Sequence, residues 1–326
     1  MTIAAKPFIP WVGGKEKLQK IIRPVFPPGI KRYAEHFGGS GAMLLGAPPM
    51  PGCMEVYNDY DSDLVNLFLC VRDSAVQLID MLGYLPLQSE AEFEFLKKML
   101  MMNATDQSDE SEEFELIEEC FDEVQQQELR KILTGRAKLW DVQRAAAFYK
   151  VCRFSFSGTR KSFGVKPVKL SRFFHQIKAA AARLEGVVIT NRDFAESILL
   201  NDKPGTLHYC DPPYYDAEDK YNVAFGEEDH QRLHDVLADC DGHVVVSYNY
   251  CPFICELYRD FYIMYFKRQN PLSQNKGSVY EEVVITSYDP RPVIEFNLSQ
   301  MTLFAPEDEP QEEGKLVLIN NPKNHK

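Results

Sequence analysis

The stretch TLHYCDPPYYDAEDKYN, residues 206–222, joins a short apolar run to an Asp-Pro-Pro-Tyr sequence. The first part, TLHYC (206–210), lacks the polar alternation of a half-exposed strand, and such runs are typical of parallel strands that are buried on both faces. Proline removes a donor from a sheet ladder, so the two prolines indicate that the strand has ended. Asp211 and Tyr214 are therefore expected at a strand tip, where open α/β sheets bind their ligands.

Similar short runs recur along the chain and alternate with helical patterns. Strands are predicted at 33–37, 54–58, 186–191, 206–210, 242–249, 262–266 and 281–288. An apolar periodic helix follows from about residue 62, and residues 227–237 read as an amphipathic helix. Strands that alternate with helices predict an α/β fold with a parallel or mixed sheet.

The pattern changes between residues 84 and 183, where helical signals occur without strand signals. We expect 84–183 to form a mostly helical insertion in an α/β domain that comprises 1–83 and 184–304. The remaining residues, 305–326, are predicted to form an acidic tail.

Charge is strongly segregated, although the net charge of the 326-residue chain is −12. Residues 106–128 carry eleven acidic and no basic residues, whereas residues 130–183 carry fourteen Lys or Arg against one acid. A solvated face is the ordinary interpretation of a basic stretch, but interleaved aromatic residues favour a nucleic-acid surface. The acidic segment cannot lie against DNA unless it is shielded, so it is expected to face away or to cover the cleft.

The remaining composition excludes several classes of protein. Eight scattered cysteines without a CxxC pair or zinc spacing predict reduced thiols and no metal site. No apolar run reaches the roughly 18 residues that span a bilayer, and the N-terminus lacks the features of a signal peptide. We therefore predict a cytoplasmic protein that does not contact a membrane.

A glycine cluster, HFGGSGAMLL, follows the first predicted strand. Glycines between a strand and a helix let a ligand approach the backbone and the helix N-terminus. Gly39 and Gly41 fit a dinucleotide fingerprint, but Leu44 takes the third glycine position, which disfavours a nicotinamide oxidoreductase. The same pattern also marks nucleoside sites.

Two further stretches carry candidate ligand-binding residues. In YNDYDSDL, Asp59 lies about 20 residues beyond the glycines, where a carboxylate can bind ribose hydroxyls. Asp61 is its rival, and a helix N-cap is the structural alternative for both. In PFIPWVGGKEKL, Lys15 is placed to hold an anionic or polar ligand group, and Trp11 fits either a ligand site or the core.

The Asp-Pro-Pro-Tyr sequence suits chemistry on an exocyclic amino group, whose lone pair is delocalised into a ring. Hydrogen bonds from that group to the Asp211 carboxylate and to a backbone carbonyl favour a tetrahedral nitrogen that can attack. Pro212 and Pro213 fix the direction of the carbonyl, and Tyr214 offers a face on which a base can stack. A proline-stiffened loop without chemistry is the alternative.

Together these motifs resemble the Dam-type DNA adenine methyltransferases, in which they occur in the same order. The matching segments are PWVGGK, EHFGGSG, NDYDSDL, NRDFAES, CDPPYY, FGEEDHQRL and SYNY. The resemblance covers about 7–72 and 148–288, and it implies a Rossmann-like methyltransferase sheet with a target-recognition insertion. It also implies methyl transfer from S-adenosylmethionine, without a metal, to the 6-amino group of an adenine flipped out of double-stranded DNA.

The resemblance implies roles for individual residues. The residues that would hold the adenine and carry catalysis are Asp211, Pro212, Pro213 and Tyr214. The residues that would contact S-adenosylmethionine are Trp11, Gly13, Gly14, Lys15, Phe37, Gly38, Gly39, Gly41, Asp59, Asp193, Phe194 and Asp211. A basic hairpin near 153–172 would contact DNA through Arg153, Arg160, Lys161, Lys166 and Arg172.

Two departures from the family pattern affect these expectations. His36 stands where the family usually has proline, and Arg153-Phe154-Ser155 replaces its Arg-Tyr-Asn. The expected setting is a bacterial or phage-encoded, nucleoid-associated enzyme, with a separate cognate restriction enzyme as one candidate partner. Two alternatives remain open: an amino-group methyltransferase acting on RNA or protein glutamine, and a catalytically silent DNA-binding relative.

Overall fold

A computed structural model describes most of the chain, and the statements below concern the parts it describes: residues 4–84, 89–102, 141–164, 169–216, 225–269, 279–302 and 314–322. The acidic segment 106–128 and the predicted DNA contact Lys166 lie outside these residues.

The strands within the described ranges form one sheet. They are β1 (Arg32–Glu35), β2 (Met54–Asn58), β3 (Val188–Thr190), β4 (Thr206–Cys210), β5 (His243–Asn249), β6 (Tyr262–Gln269), β7 (Val279–Thr286) and β8 (Val317–Asn320). The α-helices are α1 (Gln19–Ile22), α2 (Ala42–Leu45), α3 (Ser62–Asp73), α4 (Ala75–Tyr84), α5 (Glu90–Met102), α6 (Val142–Phe154), α7 (Phe174–Leu184), α8 (Phe194–Asn201), α9 (Glu227–Ala238), α10 (Pro252–Leu257) and α11 (Pro290–Thr302).

The sheet has the strand order β3-β2-β1-β4-β5-β7-β6-β8. The first five strands in this order are mutually parallel, whereas β7 runs antiparallel to both of its neighbours and β8 pairs antiparallel with β6. This mixed sheet confirms the predicted α/β class. Because the chain leaves β1 towards β2 on one side and β4 towards β5 on the other, the order reverses between β1 and β4, where such sheets bind ligands.

The central strands owe their position to continuous apolar runs. All five residues of β4 are buried, as are Val244 and Val246 on β5. On one side of the sheet these strands join a core that includes Leu233 of α9 and Ile285 of β7. Full burial of each such side chain contributes about 1.5–3 kcal/mol, which fixes the strands that carry the loops at the carboxyl ends.

The chain divides into two compact units that are described separately. Met1–Gly14 and Asp61–Glu185 form one, here called the helical unit, and Lys15–Tyr60 with Gly186–Lys326 form the other, here called the sheet unit. The predicted α/β domain of 1–83 and 184–304 includes nearly all of α3 and α4, but these helices pack with α6 and α7 in the helical unit.

Helix α3 is fixed within the helical unit by polar contacts as well as by its apolar face. Arg144 of α6 forms an ion pair with Asp63 through two nitrogens. Asn66 donates to the Asp141 carbonyl oxygen at 2.9 Å and accepts from the Asp141 N–H at 3.0 Å. These bonds fix Asp141, the N-cap residue of α6, against α3. Helix α3, which follows β2, therefore packs with a helix of the predicted insertion.

Two elements differ from the sequence-based expectations. Residues 317–320, in the predicted acidic tail, form β8 on the edge of the sheet, although no strand was predicted there. Helix α2 after the glycine cluster is only four residues long. Within the part of the chain that is described, no helix is long and apolar enough to cross a bilayer.

Candidate active site

The glycine loop after β1 is tied to the end of β2. The N–H of Gly38 donates to the Asn58 carbonyl oxygen at 2.8 Å, and the Tyr57 hydroxyl donates to the Gly39 carbonyl oxygen at 2.7 Å. The N–H of Gly39 donates to Asp59 Oδ2, also at 2.8 Å. The loop and the carboxylate predicted to bind ribose are therefore brought together at the carboxyl ends of two adjacent strands.

Two glycines of this loop adopt backbone angles that other residues rarely use. Gly39 has φ of 51°, and Gly41, at the N-cap of α2, has φ of 64°. A side chain would strain both positions, which explains the glycines that the sequence pattern singled out. Helix α2 has only four residues, so the helix N-terminus that was expected to face a ligand consists of a single turn.

Replacement of Gly38 by alanine is expected to destabilise this loop. A Cβ at Gly38 would lie 2.2 Å from Cε2 of Tyr57, so the ring must move and its bond to Gly39 must break. Overpacking of this kind typically costs about 1–3 kcal/mol of unfolding free energy, which denaturant titration would measure. Gly186→Ala is the matched control, because a Cβ there meets nothing within 4 Å; equal stability of the two variants would contradict the expectation.

The Asp-Pro-Pro-Tyr segment begins directly after β4, as predicted. Lys15 Nζ lies 2.5 Å from Asp211 Oδ1, and their side chains are 4% and 18% exposed. The Ser247 hydroxyl donates to the same oxygen at 2.9 Å, and Lys15 Nζ lies 4.6 Å from the centre of the Tyr214 ring. Lys15 thus contacts the acid and the ring of the motif within the sheet unit.

Burial and charge set the protonation of this pair. Burial raises the pKa of the Asp211 carboxyl above its usual range, while the Lys15 ammonium and the Ser247 hydroxyl limit that rise. Burial alone would lower the pKa of Lys15, but Asp211 and other neighbouring acidic groups outweigh it, so that pKa is raised. Lys15 therefore stays protonated and supplies the positive charge that Asp211 needs in order to ionise.

Residues of β5 and β7 that were not predicted from the sequence hold the rest of the motif. The Tyr214 hydroxyl donates to Glu282 Oε2 at 3.2 Å, and Asn249 Nδ2 donates to the Tyr215 carbonyl oxygen at 3.1 Å. Pro212 is buried and Pro213 is half-buried. The four predicted catalytic residues thus form one supported segment at the edge of the sheet where β1 and β4 end.

A second buried carboxyl, Glu35, ends β1. The Tyr33 hydroxyl donates to its Oε2 at 3.1 Å. Burial raises the pKa of Glu35 to about 8, although the bond from Tyr33 opposes the shift. Glu35 is therefore mostly protonated, and so uncharged, at neutral pH. In this form it adds no negative charge near the Asp211 carboxylate.

The protonation of Glu35 predicts how stability depends on pH. Its pKa is about 8 in the folded protein against an ordinary value of 4.5, so unfolding releases a proton between these pH values. The free energy of unfolding should therefore fall as pH rises from about 4.5 to about 8. Glu35→Gln should flatten this dependence in denaturant titrations across the range, whereas Glu16→Gln, an exposed control, should not. An unchanged slope in Glu35→Gln would contradict the assignment.

An aromatic group lies beside the glycine loop in the sheet unit. Phe37 stacks with Phe194 at 5.4 Å between ring centres and meets Phe225 edge-on at 5.7 Å. Asp193 caps α8 and pairs with Arg232 at 2.9 Å, and the Arg232 guanidinium carbon lies 4.1 Å from the centre of Phe194. Of this group, Phe225 and Arg232 were not predicted.

A row of polar side chains includes His36, the residue just before the glycine loop. The family usually has proline at this position. His36 Nδ1 is 2.8 Å from Ser197 Oγ, and His36 Nε2 is 2.9 Å from His208 Nδ1. His208 Nε2 is in turn 3.0 Å from Asp202 Oδ1. If each neutral group donates to the next from Ser197 towards Asp202, every ring nitrogen is satisfied. Burial lowers the pKa of both histidines, well below the usual range for His36.

Part of this row belongs to a candidate metal-ligand group. Among the residues that are described, Asp202, His208 and Cys240 bring ligand atoms within 4.8 Å of one another. However, both Asp202 oxygens already accept backbone N–H groups, from Asp241 and Gly242. Asp202 and His208 therefore also serve as hydrogen-bond partners within the fold.

The helical unit contains the other predicted ligand and DNA residues. Arg160 pairs with Asp61 at 2.7 Å, and its guanidinium carbon lies 4.7 Å from the Trp11 ring and 5.1 Å from the Phe148 ring. Asp61 also accepts two N–H groups at the start of α3, so the N-cap interpretation holds for this residue. The roles of Trp11, Gly13 and Gly14 towards a cofactor stay predictions.

The remaining basic residues differ in their exposure. Arg153 contacts the Phe8 carbonyl oxygen and Gln176, and it lies 3.7 Å from the centre of the Phe173 ring. The segment after it folds back through an isolated antiparallel bridge between Ser155 and Phe163. The side chains of the two other described candidates project into solvent: Lys161 and Arg172.

The mixed sheet, with its parallel central strands and the residues at its switch point, fits a Rossmann-like methyltransferase fold. A model of the D12 class N6 adenine-specific DNA methyltransferase family matches residues 11–271. The chain belongs to this family, and it is an adenine-specific DNA methyltransferase. The predicted family and enzyme class are thereby confirmed.

Two relatives show how widely the similarity extends. The chain is 25% identical over 309 residues to the Type II methyltransferase M1.LlaDCHI of Lactococcus lactis subsp. cremoris, across 88% of this chain and 96% of that protein. It is 24% identical over 292 residues to the DNA adenine methylase of Haemophilus influenzae, across 83% of this chain and 88% of that protein.

Proposed function

We propose that the sheet unit transfers a methyl group from S-adenosylmethionine to the 6-amino group of an adenine flipped out of double-stranded DNA, with Asp211 as the acceptor that orients this amino group. The observation that carries the proposal is the Asp211 carboxylate at the strand switch point, held by Lys15 and Ser247. Tyr214 adjoins it with an aromatic face.

The chemistry of the side chains fits this cofactor. Asp59 is a carboxylate suited to ribose hydroxyls, and Phe37 and Phe194 offer apolar faces for an adenine ring. Gly39 keeps the backbone open to close approach. Bound S-adenosylmethionine would supply an electrophilic methyl group, and the protein's residues would orient the nitrogen that receives it.

Asp211 is suited to accept from the adenine amino group rather than to remove its proton first. Its Oδ1 accepts from Lys15 and Ser247, so the proposal assigns Oδ2 to the amino group. A hydrogen bond to a carboxylate localises the nitrogen lone pair for attack, and the amino proton leaves readily once the nitrogen is methylated. Positioning of this kind supplies much of the acceleration in enzymes.

The proposed reaction is tested by methyl transfer from labelled S-adenosylmethionine to unmethylated genomic DNA, with base-resolution mapping of the product. Methyl groups on adenine within one short sequence are the expected result. Cofactor binding without transfer to DNA, but with transfer to RNA or protein, would replace the proposed substrate. Cofactor binding without any transfer would identify a catalytically silent relative.

We further propose that Lys161 and Arg172 bind DNA phosphates, because both side chains are exposed on the helical unit. Arg153 instead bonds the Phe8 carbonyl oxygen and Gln176, and Arg160 pairs with Asp61. Removing one bond to a phosphate should reduce the slope of log affinity against log salt by about 0.9. Lys161→Ala and Arg172→Ala should each show this reduction, whereas Lys203→Ala, an exposed lysine of the sheet unit, should not. Unchanged slopes would exclude the two residues.

A separate restriction enzyme that cleaves the same DNA sequence is the partner we propose for this activity. The relative from Lactococcus lactis carries a type II name, which supports such a partner. DNA from cells that produce the protein should resist an enzyme that cleaves at the mapped motif, and continued cleavage would exclude protective modification.

A further inference from the structure

The carboxyl end of β5 and the adjacent first half of β7 present a row of three polar side chains to the Asp-Pro-Pro-Tyr segment. Ser247 and Asn249 are two residues apart on β5, so their side chains lie on one face of the sheet. Glu282 of β7 is the Cα partner of Asn249 and therefore belongs to the same face. We call Ser247, Asn249 and Glu282 the support row.

Each member of the support row bonds a different part of one five-residue segment. Ser247 Oγ donates to the Asp211 side chain at 2.9 Å, and Asn249 Nδ2 donates to the Tyr215 carbonyl oxygen at 3.1 Å. Between them, Glu282 accepts from the Tyr214 hydroxyl at 3.2 Å. The side chain, the ring and the backbone of the segment are thus fixed at three points.

Glu282 is the member whose burial is hardest to explain by the fold alone. Its side chain is 1% exposed, and its Oε1 accepts from Arg268 of β6, which stacks 4.5 Å from the centre of the Tyr280 ring. A buried ion pair is seldom more stable than well-packed apolar residues in the same place. The buried carboxylate instead links Arg268 to the hydroxyl of Tyr214.

We propose that the support row positions the Asp211–Tyr215 segment for methyl transfer, and that Glu282 acts by fixing the Tyr214 ring against which the target adenine stacks. The inference rests on the proposed function of Asp211 and Tyr214. Glu282 is a positioning residue, because it acts through Tyr214 rather than on the adenine. A misplacement of about 1 Å can cost about a hundredfold in rate, so such support matters to turnover.

The main test compares Glu282→Gln with Glu281→Gln. Glu281 is the adjacent residue of β7, but its carboxylate is exposed and bonds Tyr265 and Lys267. Glu281→Gln therefore removes the same charge from β7 without removing a contact to the Asp211–Tyr215 segment. We expect Glu282→Gln to lower the single-turnover rate of methyl transfer by about tenfold or more while cofactor affinity changes by less than about threefold. Equal rates in the two variants would overturn the inference.

The pH profile distinguishes positioning from general damage to the fold. The charge of Glu282 raises the pKa of Asp211, so its loss should move the acidic limb of kcat/KM to lower pH. Loss of rate together with a lowered unfolding temperature and an unmoved acidic limb would assign Glu282 a structural role and overturn the proposal.

A double-mutant cycle tests whether Glu282 acts through Tyr214. Tyr214→Phe removes only the hydroxyl, so the effects of Tyr214→Phe and Glu282→Gln should overlap rather than add. Full additivity would overturn the proposed path, and Tyr214→Phe alone still tests the contact if Glu282→Gln does not fold. Normal methylation by Asp211→Ala would instead refute the proposed role of Asp211, a result that is independent of these variants.

Discussion

Asp211→Ala is expected to lower the rate of methyl transfer by about a thousandfold or more, the largest single effect that the site predicts. The substitution removes the acceptor proposed for the adenine amino group and leaves the buried Lys15 ammonium without its counter-charge. Single-turnover assays with saturating cofactor and DNA would measure the loss. Normal methylation by this variant would refute the role of Asp211 and with it the proposed mechanism.

Asp211→Asn separates the charge of this residue from its shape. The amide keeps the size of the side chain and one oxygen acceptor, but it cannot neutralise Lys15. We expect a rate between those of the alanine variant and the unmodified protein, with cofactor binding retained. Rates should be compared at a temperature where denaturation curves show each variant fully folded, because loss of a buried charge partner also lowers stability.

Lys15→Met is the second substitution with a large expected effect. Removal of one partner from a buried ion pair costs about 3–5 kcal/mol of unfolding free energy, because the other charge is left uncompensated. The ammonium of Lys15 also holds down the pKa of Asp211. Without it that pKa should rise further, so the acidic limb of kcat/KM should move to higher pH, opposite to the shift expected for Glu282→Gln.

Two companion variants complete the test of Lys15. Lys17→Met removes an exposed lysine two residues away and should change neither the stability nor the pH profile. Lys15→Arg keeps the positive charge and should restore part of the shift in pH profile, although the larger guanidinium fits the buried position poorly. An acidic limb that stays in place in Lys15→Met would show that this lysine does not control the ionisation of Asp211.

Much of the sheet could be predicted because its strands are short apolar runs with clear ends. Strands β2 and β4 have the residues expected from MEVYN and TLHYC, and the other predicted strands overlap the observed ones. The four residues of β8 include the apolar run Val-Leu-Ile, but they follow an acidic stretch, so 305–326 is predicted as a tail, and they enter the sheet by pairing with β6. Whether such a short run forms a strand depends on its partner in the sheet and not on its composition alone.

The candidate site was only partly predictable because some of its residues are brought together by the pairing of strands that are far apart in the sequence. Asp211 and Tyr214 belong to a continuous motif, whereas Ser247 and Glu282 join it only through strand pairing. The doubled glutamate in EEVVITSY did carry one usable signal. Side chains alternate between the two faces of a strand, so Glu281 and Glu282 must lie on opposite faces of the sheet.

The basic segment shows why composition does not identify the function of each residue. Fourteen Lys or Arg predicted a DNA surface, but Arg160 pairs with Asp61, which lies 99 residues earlier in the chain. Arg160 also adopts φ of 61°, a strained angle that costs roughly 1–3 kcal/mol in a non-glycine residue and is offset here by the ion pair and the two aromatic rings. Such long-range partners are visible only once the helices have packed.

The row from Ser197 through His36 and His208 to Asp202 limits how this chain can exchange parts with its relatives. Proline at position 36 has no side-chain nitrogen that can hydrogen-bond, so it would leave the Ser197 hydroxyl and His208 Nδ1 buried without the partner they share here. Each unsatisfied buried group costs about 1–3 kcal/mol. A glycine loop transplanted from a proline-bearing relative must therefore bring compatible residues at positions 197 and 208, which are 161 and 172 residues away.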